Sequence, residues 1–405
     1  MPLKHVSKWL TPVCLVVACL LLFAAIHALQ GSSPLTPSAY NSYTRQAMQW
    51  RKGAIALDED VPHLELAIYD GRYWVSFPPV PTVPVFLLTF VFGDRVPDTL
   101  LVQLYAVLAC LVVYILLLRM SGRRASSAVW AFLFLFGSSF LPLLQNGAVW
   151  YQAQALALLL VVIAVDRMHA GHTTWSLVSF AFSVGCRPFD VLYGPMLLMM
   201  FWFVGPHSHK PARDKVRLAL PGIALGLMVA GLYAWYNALR FGNPLEFGHS
   251  YLPEFSFQGG TQFSVHHIAR NAATFLFGWP FETSAQGAQL RQFGFSLLLA
   301  NPVFICILLW AVYDAVRRTG TSLSYGSLAF AALHILLLLS HRTMGGYQYG
   351  ARYAVDAMPW ALMCLWGRKP DRQLHVPVLP WAEYPLLTAG LFLAIYGAVV
   401  IHLPF

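Results

Sequence analysis

Long apolar stretches recur along almost the whole of this 405-residue chain, and they constrain its fold more than any other feature. About 20 apolar residues cross a bilayer as a helix, and a helix satisfies its own backbone hydrogen bonds in lipid. Because 58% of the residues are hydrophobic and 11% are charged, the composition is typical of a polytopic membrane protein. We count eleven candidate spans, at residues 9–29, 98–118, 126–144, 148–166, 173–186, 189–205, 218–240, 293–314, 323–340, 352–366 and 383–403.

Two stretches depart from this pattern. Residues 79–93 are apolar but short and rich in proline, so we interpret them as a re-entrant or interfacial helix. The stretch 173–205 is interrupted at Arg187-Pro188, and this break favours two short spans over one kinked helix. The predicted fold is therefore all-α, with a single transmembrane domain over residues 1–405, about eleven transmembrane helices and one additional short helix.

The charged residues predict the orientation of the chain. If Lys4 and Lys8 are cytoplasmic, five loops share their side: 121–124, 166–172, 207–217, 317–321 and 367–373. That side then carries 15 Lys/Arg and 5 Asp/Glu, against 11 and 12 on the other, as the positive-inside rule predicts. The net charge of +9 thus indicates membrane topology, and we expect no nucleic-acid partner. We expect the first span to be an uncleaved anchor, since no Ala-x-Ala pattern follows it.

The polar sequence lies on the opposite, extracytoplasmic side by this assignment. It comprises a first loop at residues 30–97, a second at 241–292 and a short loop at 341–353. Within the first loop, the stretch Glu65–Pro79 closes the polar segment that follows the first span, and it presents carboxylates, an arginine and several aromatic residues at a membrane face. Arg72 and Tyr73 are its candidate substrate-binding residues. A membrane enzyme acting on a lipid-linked polar substrate needs such a surface, whereas a simple channel does not.

Three acidic residues of the first loop are candidates for catalysis, because a carboxylate can deprotonate a hydroxyl or hold a cation against phosphate. Glu65 stands among apolar residues, and a charged side chain held against an apolar surface indicates a functional role. Asp58 belongs to an acidic run, residues 58–60, for which solvated loop charge is a slightly better explanation than catalysis. Asp70 is followed by Gly71, so a turn competes with a catalytic role.

Arginine and tyrosine residues further along the chain are candidates for substrate binding. Arg187 could fork onto phosphate at a helix break, or it could be an interfacial arginine that reaches water. The 341–353 loop holds three glycines, three tyrosines and two arginines, more than an aromatic belt at a membrane interface requires. Its candidates are Arg342, Tyr347, Gln348, Tyr349 and Arg352.

Taken in order, these features resemble bacterial integral-membrane glycosyltransferases of the GT-C fold, the broad group that includes protein O-mannosyltransferases and aminoarabinose transferases. The resemblance covers most of the chain. Its elements are an anchor span, an acidic outer loop, YDGRYWVSFPPVP, CRP, YNALRFGNPLEFG and GGYQYGARYAVDAMP.

The resemblance implies transfer of a sugar from a polyprenyl-phosphate carrier to a glycan, lipid or protein acceptor, at the outer face of a bacterial inner membrane. It implies a first-loop acid as base or metal partner, four or five positions before the Tyr-Asp-Gly turn, where Glu65 stands. The acid that relatives carry close after the first span has no counterpart, and Asp58 is the nearest downstream candidate. No metal ligands are assigned and no cofactor is identified; Mg²⁺ or Mn²⁺ are cations that an acidic loop could hold.

Two other classes of function stay open. A polymerase or ligase of glycan repeats would share the outer face and the arginine-rich loops but would not require an acidic first loop. A transporter of lipid-linked glycans predicts polar residues at mid-membrane and repeat symmetry, whereas the spans are nearly free of charge and no repeat is visible. For the glycosyltransferase, we expect the first loop, Arg187 and the 341–353 loop to converge on one pocket.

Overall fold

The computed structural model describes residues 9–256, 262–284, 287–368 and 374–401; Lys4, Lys8 and part of the 367–373 loop lie outside them. The α-helices are α1 Leu10–Gln30, α2 Ser42–Arg51, α3 Thr82–Phe92, α4 Asp98–Ser121, α5 Arg124–Phe136, α6 Phe140–Leu143, α7 Val149–His169, α8 Thr173–Val184, α9 Tyr193–Phe203, α10 Ala212–Phe241, α11 Pro253–Ser256, α12 Val265–Phe277, α13 Leu297–Ala300, α14 Val303–Arg317, α15 Ser322–Leu339, α16 Trp360–Trp366 and α17 Pro380–Val400. Short 3₁₀ turns span Pro188–Leu192, His249–Tyr251 and Arg352–Ala357. The strands are β1 Leu66–Tyr69, β2 Arg72–Val75, β3 Phe281–Ser284 and β4 Gly287–Leu290.

The fold is an α-helical membrane bundle, as predicted, to which two small hairpins are added. In the described part of the chain, six helices are long and apolar enough to cross a membrane: α1, α4, α7, α10, α15 and α17. The most apolar windows of α4 and α7 are 67% and 83% buried, against 22–33% for the other four. The pair α4–α7 therefore forms the centre of the bundle, and the other four present apolar faces outward, as lipid contact requires.

Three predicted spans are each divided in the structure. The span 126–144 breaks at Gly137, where a Cβ would lie 2.5 Å from the Leu133 carbonyl oxygen and 2.6 Å from that of Leu387 in α17. Residues 293–314 divide at Asn301, whose side-chain oxygen accepts a hydrogen bond from the Ser139 amide. Residues 352–366 are a 3₁₀ turn and α16, separated by Pro359. Close backbone packing and capping side chains, which hydropathy does not report, set these breaks.

The two other irregular stretches have the local form that the sequence predicts. The stretch 173–205 divides at Arg187-Pro188 into α8 and α9, with a 3₁₀ turn between them. The apolar stretch 79–93 contains α3, an 11-residue helix that packs against α2 of the first loop. An arginine of α2, Arg51, donates a hydrogen bond to the Thr89 carbonyl of α3 (2.8 Å).

One end of the bundle gathers the five loops that the sequence assigns to the cytoplasmic side. Each of the five loops contacts at least one of the other four, through residues in the loop itself or at the adjoining helix end. The contacts join Arg119 with Asp166, His207 with Gly171, His169 with Trp366, and Asp314 with Arg368. The loops thus share one side, as predicted; that this side is cytoplasmic stays a prediction.

The first loop is an ordered structure at the opposite end of the bundle. Its strands β1 and β2 form an antiparallel hairpin whose turn residues, Asp70 and Gly71, have φ values of 51° and 65°. Two positive φ angles are typical of a type I′ turn, which Asp-Gly favours. Beyond the hairpin, Ser76 donates a hydrogen bond from Oγ to the Glu65 carbonyl (2.7 Å). The hairpin therefore fixes the backbone position of Glu65.

Candidate functional site

A cavity of about 470 Å³ opens at the end of the bundle that carries the first loop. Its walls come from five separated parts of the chain: Glu65 with 77–78, residues 150–153, residues 186–189, residues 245–254 with 262–263, and residues 338–353. The structure thus brings Glu65, Arg187 and Arg352 to one cavity, as the sequence predicts. These three residues lie far apart in the sequence, and the packing of helix ends and loops brings them to the same cavity.

Glu65 presents a half-buried carboxylate to this cavity. One oxygen, Oε2, accepts a hydrogen bond from the indole Nε1 of Trp150 (2.9 Å), and the other has no hydrogen-bond partner among the described residues. Burial raises the pKa of Glu65 above its usual value, although the Trp150 hydrogen bond and the charge of Arg352 act in the opposite direction. A carboxylate with a raised pKa and a free oxygen suits a general base.

Arg352 holds a buried guanidinium against three aromatic rings, those of Trp150, Tyr151 and Tyr353, at 5.7, 5.5 and 5.0 Å. Its Nε has no hydrogen-bond partner, and no carboxylate in the described part of the chain lies within ion-pair distance of it. Trp150, at the start of α7, therefore contacts both the carboxylate of Glu65 and the cation of Arg352.

Arg187 differs from Arg352 because its charge is already neutralised. Its Nη2 and Nε lie 2.6 and 2.8 Å from Oδ2 of Asp356, which is almost fully buried. The other Asp356 oxygen accepts a hydrogen bond from Gln154 (3.0 Å), and the same amide lies 3.2 Å from the Arg352 carbonyl oxygen. This network locks the 3₁₀ turn Arg352–Ala357 onto α7 and onto the helix break at Arg187.

Two histidines of the cavity stay neutral at physiological pH. Burial and the nearby charge of Arg187 lower the pKa of His249 to about 4. Burial, reinforced by positively charged neighbours, lowers the pKa of His341 to about 3. His341 accepts a hydrogen bond from the Thr343 amide at Nδ1 (3.2 Å), and its Nε2 lies 3.1 Å from the side-chain amide nitrogen of Gln262. The permanent positive charges of the cavity are therefore those of Arg187 and Arg352.

Glu246 and Glu254 line the cavity together with Glu65. Glu246 is engaged through Oε1, which accepts a hydrogen bond from the Gly248 amide (2.6 Å). Across the described ranges, no three His, Cys, Asp or Glu side chains are grouped closely enough to hold a metal ion. The residues present do not fit a site for Mg²⁺ or Mn²⁺, which prefer several oxygen ligands, so we derive no step through such a cation.

Four first-loop candidates lie away from this cavity. Asp58 is exposed, and hydrogen bonds from Lys52 and Gln49, both 2.8 Å, lower its pKa. Asp70 is exposed in the hairpin turn, which agrees with the interpretation of Asp70-Gly71 as a turn. Arg72 is exposed on β2, and the Tyr73 carbonyl pairs with the Leu57 amide. Glu65 is thus the one first-loop acid among the three candidates that reaches the cavity.

The other candidate residues of the 341–353 loop do not line the large cavity; their contacts hold the loop in its conformation. Gln348 is buried, and its side chain accepts a hydrogen bond from the Arg352 amide (2.9 Å). Tyr349 packs edge-on against Phe295, and Tyr347 against Phe293. The Arg342 carbonyl accepts a hydrogen bond from Arg270 (2.7 Å). Gln348 and Tyr349 instead line a smaller neighbouring cavity, which Arg352 shares.

Sequence reasoning did not single out Trp150, His249, His341 or Asp356, which contact the candidate residues or line the cavity. Two of them carry a signal that could have identified them. Trp150 opens an apolar span together with Tyr151, Gln152 and Gln154, an unusual run of polar and amphipathic residues. Asp356 follows Arg352 by four residues, within an apolar segment where an acid requires a partner.

Three solved structures share this architecture at low sequence identity. The oligosaccharyltransferase of Archaeoglobus fulgidus in its apo form matches with a TM-score of 0.56 and 12% identity, over 99% of this chain and 57% of that one. ArnT from Cupriavidus metallidurans bound to undecaprenyl phosphate gives 0.52 and 12%, over 88% and 60%. AglB of A. fulgidus, in complex with an inhibitory peptide and a dolichol-phosphate, gives 0.52 and 13%, over 98% and 57%.

This chain thus spans less than two thirds of the length of these three proteins. No protein-family model matches the sequence, and no match was found among curated proteins. At 12–13% identity the similarity establishes architecture alone, and the resemblance noted in the sequence is confirmed at that level. The chain has the GT-C fold of membrane glycosyltransferases.

Proposed function

We propose that this protein is a membrane glycosyltransferase that moves a sugar from a polyprenyl-phosphate carrier to an acceptor hydroxyl in the Glu65–Arg352 cavity. One observation carries the proposal: among the described residues, Arg352 is a buried cation without a carboxylate partner. It contacts Trp150, the same tryptophan that donates a hydrogen bond to the carboxylate of Glu65. A cation and a separate base in one cavity are what transfer from a phosphate leaving group requires.

Arg352 is the best candidate to hold the phosphate. A buried cation is stable only with a counter-ion or strong hydrogen bonds, and a phosphate supplies both. Arg187 has that counter-ion in Asp356, and Arg72 is exposed outside the cavity. Apolar residues of the cavity wall, including Phe189 and Leu338, offer a surface for the first isoprene units of a carrier. The undecaprenyl phosphate and dolichol-phosphate in two structures of the same fold support this choice of ligand.

Glu65 is the proposed base. The acceptor oxygen forms a bond to the anomeric carbon while the bond from that carbon to the phosphate oxygen breaks. The acceptor proton passes to the free oxygen of Glu65, and the phosphate leaves with one more negative charge. Arg352 stabilises that added charge more strongly than it stabilises the donor, so its contribution accelerates the reaction. Because the base must be ionised, the rate should rise with pH through the pKa of Glu65.

Two variants of the purified protein test this assignment. Glu65→Gln keeps the acceptor of the Trp150 hydrogen bond but cannot take a proton, so sugar transfer should fall by about 10²–10⁴-fold while polyprenyl phosphate still binds. Arg352→Gln should weaken polyprenyl phosphate binding by about 10- to 100-fold, because it removes a charge-assisted contact. Asp58→Asn and Arg72→Gln are the matched controls, since both side chains are exposed outside the cavity.

The same measurements separate the rival functions. Glycan transfer that is unaffected by Glu65→Gln would favour a polymerase or ligase that uses no first-loop acid. If Asp58→Asn loses transfer and Glu65→Gln does not, the base is Asp58 and the assignment to Glu65 is wrong. If Arg352→Gln binds polyprenyl phosphate like the wild type, the phosphate site is elsewhere.

A further inference from the structure

Residues 236–248 carry the sequence YNALRFGNPLEFG and run from the last turns of α10 into the second loop. Residues 245–247 line the large cavity, whereas residues earlier in the segment contact the first loop. The proposed reaction gives these earlier residues no role. We call residues 236–248 the support segment, because of the contacts that it makes with the first loop.

The support segment contacts both the helix and the hairpin of the first loop. The Tyr236 hydroxyl accepts a hydrogen bond from Gln46 of α2 (2.8 Å). The Phe241 ring packs edge-on against Tyr69 of β1 and Trp74 of β2, with ring centroids 5.8 and 5.9 Å apart. The helix α2 and both strands of the hairpin are thus packed against the same segment.

Arg240 is the buried cation of the support segment, and its side chain is used within the protein. Its Nη1 donates a hydrogen bond to the Val75 carbonyl of β2 and its Nη2 to the side-chain oxygen of Asn237, both at 2.7 Å. The guanidinium carbon lies 4.5 and 4.7 Å from the ring centroids of Tyr236 and Phe241. Among the described residues, no carboxylate lies within ion-pair distance of it.

Arg240 differs from Arg352 in what its charge can do. It lines neither cavity, so it is not a candidate to hold the phosphate. Burying a cation costs free energy that an apolar side chain of the same size would not cost, so packing alone does not explain an arginine here. What the cation adds is a directed, charge-assisted hydrogen bond to a main-chain carbonyl. That bond fixes the position of β2.

The position of β2 in turn determines that of Glu65. Val75 lies opposite Leu66 in the hairpin, and Leu66 follows Glu65 directly. The next residue, Ser76, donates the hydrogen bond to the Glu65 carbonyl. Gly248 lies against Ser76, because a Cβ at this glycine would be 3.2 Å from the Ser76 Cα. The support segment therefore contacts the two residues that hold the backbone of Glu65.

We propose that Arg240 is a positioning residue for the transfer reaction: by holding the Val75 carbonyl, it keeps the carboxylate of Glu65 in place against Trp150. The inference rests on the proposed function and adds to it a residue that lines no cavity. A reacting group displaced by about 1 Å can cost about 10²-fold in rate. Arg240 thus acts on the rate of transfer, whereas carrier binding depends on Arg352.

Sugar transfer by the purified full-length protein in detergent, measured over a range of pH, tests the proposal. Arg240→Met removes both hydrogen bonds at similar length, and Arg240→Lys keeps a cationic donor for the Val75 carbonyl. Arg51→Met is the matched control. Arg51 also donates to a carbonyl and lies 4.8 Å from a ring centroid, but its partners, Thr89 and Phe90, belong to α3 and not to the hairpin.

We expect Arg240→Met to lower kcat by about 10- to 100-fold. Its KM for a polyprenyl-phosphate monosaccharide and its affinity for bare polyprenyl phosphate should equal those of the wild type, because Arg352 is unchanged. Arg240→Lys should lose less activity than Arg240→Met, since one of the two hydrogen bonds can be kept. Arg51→Met should transfer at the wild-type rate.

The pH profile separates positioning from a purely structural role. Burial is the main cause of the raised pKa of Glu65, and a displaced hairpin admits water to the carboxylate. In Arg240→Met, the pH of half-maximal rate should therefore move down towards 4.5, the usual pKa of the group. The charges of Arg352 and Glu254 also act on Glu65, and no variant changes either. A protein that is only less stable has fewer active molecules, so its kcat falls while this pH stays the same.

If Arg240→Met does not fold, two milder variants carry the same test. Arg240→Lys alters the hydrogen bond to Val75, and Ser76→Ala removes the one to the Glu65 carbonyl. Both should lower kcat and shift the pH profile downward, by less than the larger change. Wild-type kcat and pH profile in both variants would overturn the inference.

Three results decide between this inference and the proposed function. If Glu65→Gln abolishes transfer while Arg240→Met keeps the wild-type kcat and pH profile, the positioning role is overturned and the proposed base stands. A lower kcat in Arg240→Met without a shift of the pH profile assigns Arg240 to stability alone and also overturns it. If Glu65→Gln transfers like the wild type, the proposed base is wrong and the positioning role fails with it.

Discussion

At the scale of single residues, the candidate site combines a carboxylate and a cation that the fold keeps partly or wholly out of water. Glu65 and Arg352 do not pair directly; Trp150 lies between them, bonded to one and stacked against the other. A direct ion pair would lower the pKa of Glu65 and would neutralise the positive charge of Arg352. Burial keeps the pKa of Glu65 raised although the Trp150 hydrogen bond acts against it, and the lack of a direct ion pair leaves the guanidinium available to an anion.

The raised pKa of Glu65 predicts how stability depends on pH. Between its usual value of 4.5 and its higher folded value, the folded state binds more protons than the unfolded state. Stability therefore falls as pH rises through this window, and the ionised carboxylate destabilises the fold above it. Glu65→Gln should have a higher melting temperature than the wild type at neutral pH, and the difference should vanish below about pH 4.5.

Thermal unfolding in detergent at several pH values measures this difference. Glu59→Gln, at an exposed position of the same loop, is the control and should show no such trend. A melting temperature of Glu65→Gln that falls below the wild type at neutral pH would mean that the carboxylate is stabilised by a partner in the folded protein.

At the scale of secondary-structure elements, the cavity is built from helix breaks. The 3₁₀ turn Arg352–Ala357 and the break at Arg187-Pro188 are joined by the Arg187–Asp356 pair, and Gln154 of α7 braces the same turn. Broken helices leave backbone groups that side chains or a ligand must satisfy, and this junction satisfies them with buried polar side chains.

We expect Asp356→Ala to destabilise the protein by about 3–5 kcal/mol, because it leaves Arg187 without its buried partner. The double variant Arg187→Leu/Asp356→Leu should recover much of this loss, since replacing both members of a buried pair by apolar side chains is often neutral. Denaturation of the two single variants and the double variant gives the coupling energy. Additive effects would show that the pair does not join the two elements.

The sequence predicts the regular elements better than these junctions. Apolar length alone locates α4, α7 and α10, and Pro188 marks the break between α8 and α9. The break at Gly137 depends on its contact with α17, some 250 residues away, and local sequence does not report such a contact. The same is true of Trp150: its polar neighbours hint at a role, but its bond to Glu65 follows from tertiary packing alone.

At the scale of the whole molecule, the two ends of the bundle have different chemistry. One end carries arginine-rich turns joined by short ion pairs such as Arg368–Asp314, and the other carries the first loop and both cavities. The central helices α4 and α7 separate these ends. Because both cavities lie at one end of the bundle, the orientation of the protein determines which side of the bilayer they face.

Cysteine labelling of intact cells tests the orientation. In a variant without Cys14, the one exposed cysteine in the described part of the chain, His209→Cys should react only with reagents that enter the cytoplasm. Glu59→Cys, at the end that carries the cavities, should react with an impermeant reagent. The reverse pattern would place the cavities inside the cell, where the proposed acceptor class would have to change.

The position of Trp150 between Glu65 and Arg352 also has a consequence for sequence divergence. The indole offers an N–H to one partner and an aromatic face to the other, and neither phenylalanine nor leucine supplies both. Lysine would not replace Arg352 well, because a planar guanidinium stacks on a ring and an ammonium does not. In proteins descended from this chain, the residues at positions 65, 150 and 352 should therefore be conserved together or substituted together. Once one of the three is substituted, the other two are no longer constrained by it.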